Sequence, residues 1–278
     1  MLDNEVFMRF VDGKEKAFTL SYDDGVEADK KLLKVMSQYN LKGTFNINSN
    51  VEGRGNHGRM NKDETYATYC NCGQEIAVHG AKHSFLTKLS ISQGIDEILN
   101  DRKALESTYG RIVNGMAYAY GVFNDEIKRY VSLCGINYAR TIKSTHSFDL
   151  PTDWLELNPT CHHNDDKLDM LTDKFVSGSP NGEKNRKDPY LFYVWGHSYE
   201  FDEQNNWYVI EQLAQKVANR NDVWYATNGQ IYNYVQAFNN LVFSLDGNRV
   251  YNPSALDVWF YRHGNTYKVP SGSVTVCE

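Results

Sequence analysis

A chain of 278 residues, 41% of them hydrophobic, with a formal net charge of −6, can bury one large domain or a domain with an appendage. The mild acidity argues against a nucleic-acid partner, which needs a basic face, and no run of eighteen apolar residues exists to span a membrane. Met1 to Glu5 form no basic and apolar leader, so the protein is expected in the cytoplasm if Met1 is the native start, and secreted or in the cell envelope if a leader was removed.

Residues 1–16 are polar and are expected to supply a small edge element. Residues 17–20 form a short apolar run that reads as a buried strand, and it ends in Ser21-Tyr22-Asp23-Asp24-Gly25. Adjacent carboxylates inside a strand would face opposite sides. At a strand's C-terminal end, where Gly25 lets the backbone turn, both can reach one crevice. Residues 26–39 read as a helix with Leu32, Leu33, Val35 and Met36 on its apolar side, and residues 44–48 as the next strand. This alternation predicts a parallel α/β sheet with right-handed crossovers.

Residues 51–69 read as a long polar loop. Within it, residues 53–58 match G-x-G-x-x-G, but Arg59-Met60-Asn61-Lys62-Asp63-Glu64 offers no apolar helix after the third glycine, so a rim loop is expected rather than a dinucleotide site. Residues 75–84 again run from a short apolar strand into a polar site, delivering His79 and His83. Four apart on a helical turn, they would share a face. One carboxylate and two imidazoles suit a borderline divalent cation such as zinc, with positions left for water.

Residues 91–109 predict a helix capped by Ser90 or Ser92, with Ile95, Ile98, Leu99 and Leu105 as its stripe. Strands are expected at 116–120, 138–142, 190–195 and 223–226, and helices at 124–134, 202–218 and 231–238. Residues 144–166 read as irregular and carry Asp149, Asp153, Trp154 and the cluster from Cys161 to Asp166, in which His162 and His163 are expected to be solvated or to act behind the first layer of the site. Seven strand candidates with interleaved helices suit a partly open barrel, with Asp23, Asp24, His79, Tyr120 and His197 all at strand C-terminal ends. Beyond Asn239-Asn240, residues 241–278 alternate in strand fashion. At under forty residues they need the main domain, or a partner, to bury a core. Trp259 and Tyr261 there could face a carbohydrate, but packing is the favoured expectation. The five cysteines (Cys70, Cys72, Cys134, Cys161 and Cys277) are odd in number, lack framework spacing and read as free thiols.

Ser21-Tyr22-Asp23-Asp24-Gly25 and His79-Gly80-Ala81-Lys82-His83-Ser84 resemble the first two motifs of the polysaccharide deacetylases, carbohydrate esterase family 4. Met116-Ala117-Tyr118-Ala119-Tyr120-Gly121 resembles the third motif, and Tyr193-Val194-Trp195-Gly196-His197 the last. Leu41 to Asn46 resembles the second strand. The resemblance spans roughly residues 15–235. It implies an α/β fold, a distorted, partly open (β/α)7 barrel over residues 1–238 with a small β-rich C-terminal appendage over 239–278. It also implies metal-dependent removal of acetyl groups from an N- or O-acetylated oligo- or polysaccharide: a chito-oligosaccharide, peptidoglycan or acetylated xylan.

On that resemblance Asp24, His79 and His83 hold a divalent metal, zinc first, with cobalt, nickel or manganese as alternatives. The metal brings the pKa of bound water towards about 7. Asp23 is the general base, the backbone N–H of Tyr120 helps hold the oxyanion, and His197 protonates the leaving group. Trp195 and Tyr22 are the expected substrate-facing aromatics. Two departures stand out. Ala117 occupies the slot of the family arginine that pairs with the base, for which Arg140 or Lys143 could substitute. The aspartate that orients the catalytic histidine is not recognisable, leaving Asp149 and Asp153 as candidates. The first departure and the absent leader give weight to a rival, hydrolysis of a small non-sugar amide, such as a cyclic or ureido compound, on the same fold. A non-catalytic carbohydrate-binding protein is the alternative from a different class.

Overall fold

The computed structural model describes residues 5–50, 57–179 and 187–277. Residues 53–56 of the glycine pattern lie outside this set, as do residues 1–4.

Eight parallel strands build one sheet. In chain order they are β1 (Lys16–Asp23), β2 (Gly43–Ile47), β3 (Glu75–Val78), β4 (Gly115–Ala117), β5 (Tyr138–Arg140), β6 (Cys161–His162), β7 (Tyr190–Gly196) and β8 (Val223–Tyr225). Seven of them lie in the order β5-β4-β3-β2-β1-β7-β6 and curve into a half-barrel. The eighth, β8, pairs with the N-terminal part of β1 through Lys16, Ala17 and Phe18. The expected partly open α/β barrel is what the chain forms. Among the described residues, eight α-helices accompany the strands: α1 (Asp29–Gln38), α2 (Lys62–Tyr69), α3 (Ile91–Tyr109), α4 (Asp125–Leu133), α5 (Leu168–Ser177), α6 (Tyr199–Glu203), α7 (Tyr208–Val217) and α8 (Asn228–Asn239).

Strand β1 is the axis of the sheet, paired on both sides and buried along its whole length. Its alternation separates two environments. Phe18, Leu20 and Tyr22 belong to the apolar cluster shared with Leu32, Met36, Phe175 and Phe192 under the helices. Thr19, Ser21 and Asp23 point the other way and find polar partners inside the barrel. Thr19 Oγ1 donates to Asn228 Oδ1 at 3.2 Å, and Asn46 Nδ2 donates to Ser21 Oγ at 2.9 Å and to Asp23 Oδ1 at 2.8 Å. Buried polar groups are tolerated when they are paired in this way.

Four segments differ from expectation. Helix α2 lies inside the supposed loop 51–69. It buries only Thr65 and Tyr69, so it has no apolar stripe to read, but Asn61 and Glu64 close a capping box at its start. Strand β6 arises in the supposedly irregular stretch because Cys161 and His162 pair with Val194 and Trp195 of β7. Helix α5 has no counterpart among the expected elements. The helix expected over 202–218 is two helices, since Asn205 takes a left-handed φ of +49° and the Trp207 indole N–H donates back to Asp202 at 2.7 Å.

The termini meet beside the N-terminal end of β1. Phe7–Arg9 pairs antiparallel with Val258–Arg262, which pairs with Asn265–Val269. Val242–Phe243, Arg249–Tyr251 and Val274–Val276 form a second small sheet. Tyr234 of α8 ties both ends down: its hydroxyl donates to Arg9 O at 2.6 Å and accepts from Trp259 N–H at 3.0 Å. Trp259 packs against a cluster containing Phe10, Ala17 and Tyr234, and the Arg9 guanidinium lies 4.8 Å from the Tyr261 ring centre. All five cysteines are free.

Candidate active site

Asp23 is the last residue of β1. Asp24 and Gly25 follow with φ of +83° and +68°, two left-handed residues in succession. Aspartate tolerates this region better than most side chains, and Gly25 also has Ile47 Cγ2 only 3.1 Å from where a Cβ would sit. The turn brings both carboxylates over the open end of the barrel, 2% and 5% exposed. The burial creates a strong demand for partners.

The histidines come from the end of β3, but not from a helical turn as expected. His79 follows the strand, Gly80 has φ +83° and His83 has φ +54°, so a tight loop folds the two rings together, with centres 4.8 Å apart. Two acids of α3 hold this loop by its backbone. Asp101 accepts from Ser49 N–H at 2.7 Å and His79 N–H at 2.9 Å, and Glu97 accepts from Lys82 N–H at 2.8 Å and Ser84 N–H at 3.2 Å. Burial outweighs those bonds at Asp101 and pushes its carboxyl up to about 7.

Tautomers decide what these rings can bind. His79 Nδ1 lies 2.9 Å from the Ala117 carbonyl, which can only accept, so Nδ1 carries the proton and the Nε2 lone pair faces both Asp23, at 3.7 Å, and Asp24. Burial, then the neighbouring His79, pulls His83 down to about 4, so it is neutral near pH 7. Asp24 Oδ1 lies 3.8 Å from His79 Nε2 and 3.5 Å from His83 Nε2. Ligands about 2 Å from a tetrahedral ion stand roughly 3.3 Å apart, so the trio could hold a divalent ion after small adjustments.

Asp23 has a different neighbour. The Arg140 guanidinium, completely buried, donates from Nη2 to Asp23 Oδ2 and lies 4.3 Å from the Trp195 ring centre. Arg140 is the register partner of Ala117 across β4 and β5, so the missing cation arrives from the adjoining strand. Burial alone would raise the Asp23 carboxyl, but Arg140, His79 and His197 together hold it at about 2.

His197 follows β7, with Nε2 3.9 Å from Asp23 Oδ2. Its orienting carboxylate is Glu200, whose Oε1 lies 3.3 Å from His197 Nδ1, rather than Asp149 or Asp153. Those two bond to Ser147 and Lys128. Burial lowers the His197 pKa, but the bond to Glu200 and the charges of Asp23 and Asp24 outweigh it and raise it above the ordinary histidine value. Glu200 is one turn beyond His197, and this i, i+3 spacing was the available signal. The other oxygen of Glu200 lies 3.2 Å from His162 Nε2 and 3.0 Å from His163 Nε2. His163 is 1% exposed and stacks between Tyr22 and Phe201, and burial pulls it down to about 4.

Asp23, Asp24, His79, His83, Tyr120, Trp195 and His197 line one cavity of about 460 Å³, with His57, Arg59 and Tyr199 at its side. Tyr120 is half exposed at φ +58°, stacked flat on Phe85 at 3.6 Å and edge-on to His83 at 4.4 Å. Tyr22 is a correction. It is 1% exposed and packs with Phe45 and Phe201, because strand alternation turns it away from the cavity that Asp23 faces.

Residues 11–139 match the family model described as polysaccharide deacetylase. Among solved structures, a protein of Mycobacterium smegmatis assigned as a polysaccharide deacetylase shares 18% identity over 83% of this chain and 93% of that one, with a TM-score of 0.59. The pseudoenzyme BA3943 of carbohydrate esterase family 4 from Bacillus anthracis shares 14% identity over 78% of this chain and 66% of that one, with a TM-score of 0.50. The chain spans 61% of the Streptococcus pyogenes deacetylase PplD, solved in complex with acetate, with 50% of this chain covered, 16% identity and a TM-score of 0.43. At these identities the likeness is one of fold. No curated protein matches the chain.

Proposed function

Residues 11–139 match the polysaccharide deacetylase family model, and from that match we propose that the chain is a member of the family and hydrolyses acetyl groups from an N- or O-acetylated carbohydrate. The observation that carries this reading is a pair of oppositely partnered groups facing one cavity, Asp23 on the Arg140 guanidinium and His197 on the Glu200 carboxylate. Asp23 is held anionic by Arg140, and His197 is favoured as a cation by Glu200.

Asp24, His79 and His83 would hold the divalent metal, zinc first. When bound, it polarises the acetyl carbonyl and makes water a better nucleophile. Asp23 orients that water and accepts its proton. Its low pKa makes it a weak base on its own, so its contribution is chiefly positional. The Tyr120 N–H supports the oxygen that becomes anionic. His197 delivers its Nε2 proton to the departing sugar nitrogen or oxygen, a step an amine leaving group requires. Glu200 keeps the ring oriented and stabilises the imidazolium. Trp195 walls the acetyl methyl, and the flat Tyr120–Phe85 stack offers a rim on which a sugar ring can lie. All of these groups fall within 1–238, which we read as the catalytic domain. Residues 239–278, an extension on that reading, contribute none.

The Arg140 contact gives Asp23 a cationic neighbour despite Ala117, which supports the carbohydrate reading over a small-amide substrate. The test is acetate release from acetylated chito-oligosaccharides, peptidoglycan fragments and acetylated xylan by zinc- or cobalt-loaded protein, with Asp23→Asn as control. Release from at least one, reduced a hundredfold or more in the control, is expected. No release from any of them in metal-replete protein would sink the carbohydrate reading.

A further inference from the structure

Arg59 reaches the same oxygen that the proposed metal site needs. Residues 57–60 lie along the turn that follows Asp24. Glu27 N–H donates to Gly58 O at 2.8 Å, Met60 N–H donates to Gly25 O at 3.1 Å, and Val26 and Arg59 form an antiparallel bridge. The capping box at Asn61 begins α2 immediately afterwards, so the strap is anchored on both sides by backbone contacts. It lays Arg59, whose side chain is 12% exposed, against Asp24, where Nη2 donates to Oδ1 at 2.7 Å. Oδ1 is also the atom 3.8 Å and 3.5 Å from the Nε2 atoms of His79 and His83.

The consequence is electrostatic. Arg140 neutralises Asp23 and Arg59 neutralises Asp24, so the buried pair of carboxylates offers no net negative charge to an incoming dication. An ion held by the trio would share Oδ1 with a guanidinium a few ångströms away, where little solvent screens the repulsion. Arg140 acts on the base; Arg59 acts on the ligand.

We propose that Arg59 is the affinity-setting residue of the Asp24–His79–His83 cation site, a built-in competitor that weakens metal binding and speeds metal exchange. This rests on the reading of that trio as a metal site. The test is zinc titration of the full chain against a chromophoric chelator, with the rate of zinc release after chelator addition as a second readout. Wild type would be compared with Arg59→Gln, Arg59→Lys and Asp24→Asn, all checked for native circular dichroism. Arg59→Gln is expected to bind zinc at least tenfold more tightly and release it more slowly, with Arg59→Lys close to wild type because the charge is kept. Affinity in Arg59→Gln that is unchanged or weaker would overturn the proposal. If Asp24→Asn keeps wild-type affinity, the metal reading itself fails, a different result from either outcome at Arg59. Should Arg59→Gln lose its native spectrum, Arg59→Met, which keeps the aliphatic stem, supplies the same comparison.

Discussion

Among the described residues, two clusters bring two histidines and a carboxylate within 4.8 Å of one another: Asp24 with His79 and His83, and Glu200 with His162 and His163. They share residue types and similar spacing, yet the backbone assigns them different chemistry. In the first, the Ala117 carbonyl claims the Nδ1 proton of His79 and leaves a lone pair facing the carboxylate, the form that ligates a metal. In the second, the Asn164 N–H donates to His162 Nδ1 at 3.1 Å, so the neutral ring carries its proton on Nε2 and offers it to Glu200. On the reading proposed above, the first cluster takes the cation. The second is a hydrogen-bond hub that holds the carboxylate behind His197. One backbone partner in each cluster, the Ala117 carbonyl on His79 and the Asn164 N–H on His162, separates the two.

The sharpest way to break this contrast is metal analysis of paired variants. Asp24→Asn and His79→Ala are expected to lose bound zinc and, with it, a thousandfold or more in acetate release, whereas His162→Ala keeps the wild-type zinc content. Zinc lost from His162→Ala and retained in Asp24→Asn would exchange the roles of the clusters. Next in size is Arg140→Met. Removing one partner of a completely buried ion pair costs about 3 kcal/mol or more, to be read from denaturant unfolding. Asp23 has a folded pKa depressed to about 2, below its unfolded value near 4. Its stabilisation is therefore full above pH 4 and lost as pH falls through 2, and in Arg140→Met that acid-side dependence should shrink.

The smallest effect is expected at the hub. Glu200→Gln should lower kcat about tenfold to a hundredfold and move the alkaline limb of the pH–rate profile to lower pH, because the His197 pKa is no longer raised. A group whose folded pKa is raised contributes stability in full below its unfolded value near 6.5 and loses it as pH rises through the folded pKa. The melting difference between wild type and Glu200→Gln should accordingly be largest below pH 6.5 and narrow in alkali. An unchanged pH profile in a folded Glu200→Gln would leave Glu200 without its positioning role.

Much of the site was legible because its signals are local. Asp23-Asp24-Gly25, His79 with His83 and His197 each close an apolar run, and such runs were strands whose ends meet at the barrel mouth. Tyr22 misled because a motif lists its residues without their facing, and alternation along β1 sends it to the opposite side from Asp23. Helix α2 was hidden because it buries too little to leave a stripe, though its capping box was in plain sight at Asn61 and Glu64. Strand β6 was hidden because two residues make no period.

By itself, the sequence determined the parallel α/β plan, the strand ends that carry the carboxylates and histidines, and the Ser90 cap of α3. All of these depend on residues within a few positions of one another. Only the tertiary structure decided which cation meets Asp23, which carboxylate lies against His197 and which guanidinium lies on Asp24. Asp23 and Arg140 are 117 positions apart, Asp24 and Arg59 are 35. These pairings follow from sheet register and from a strap folded across a turn, and a linear pattern of residue types carries neither.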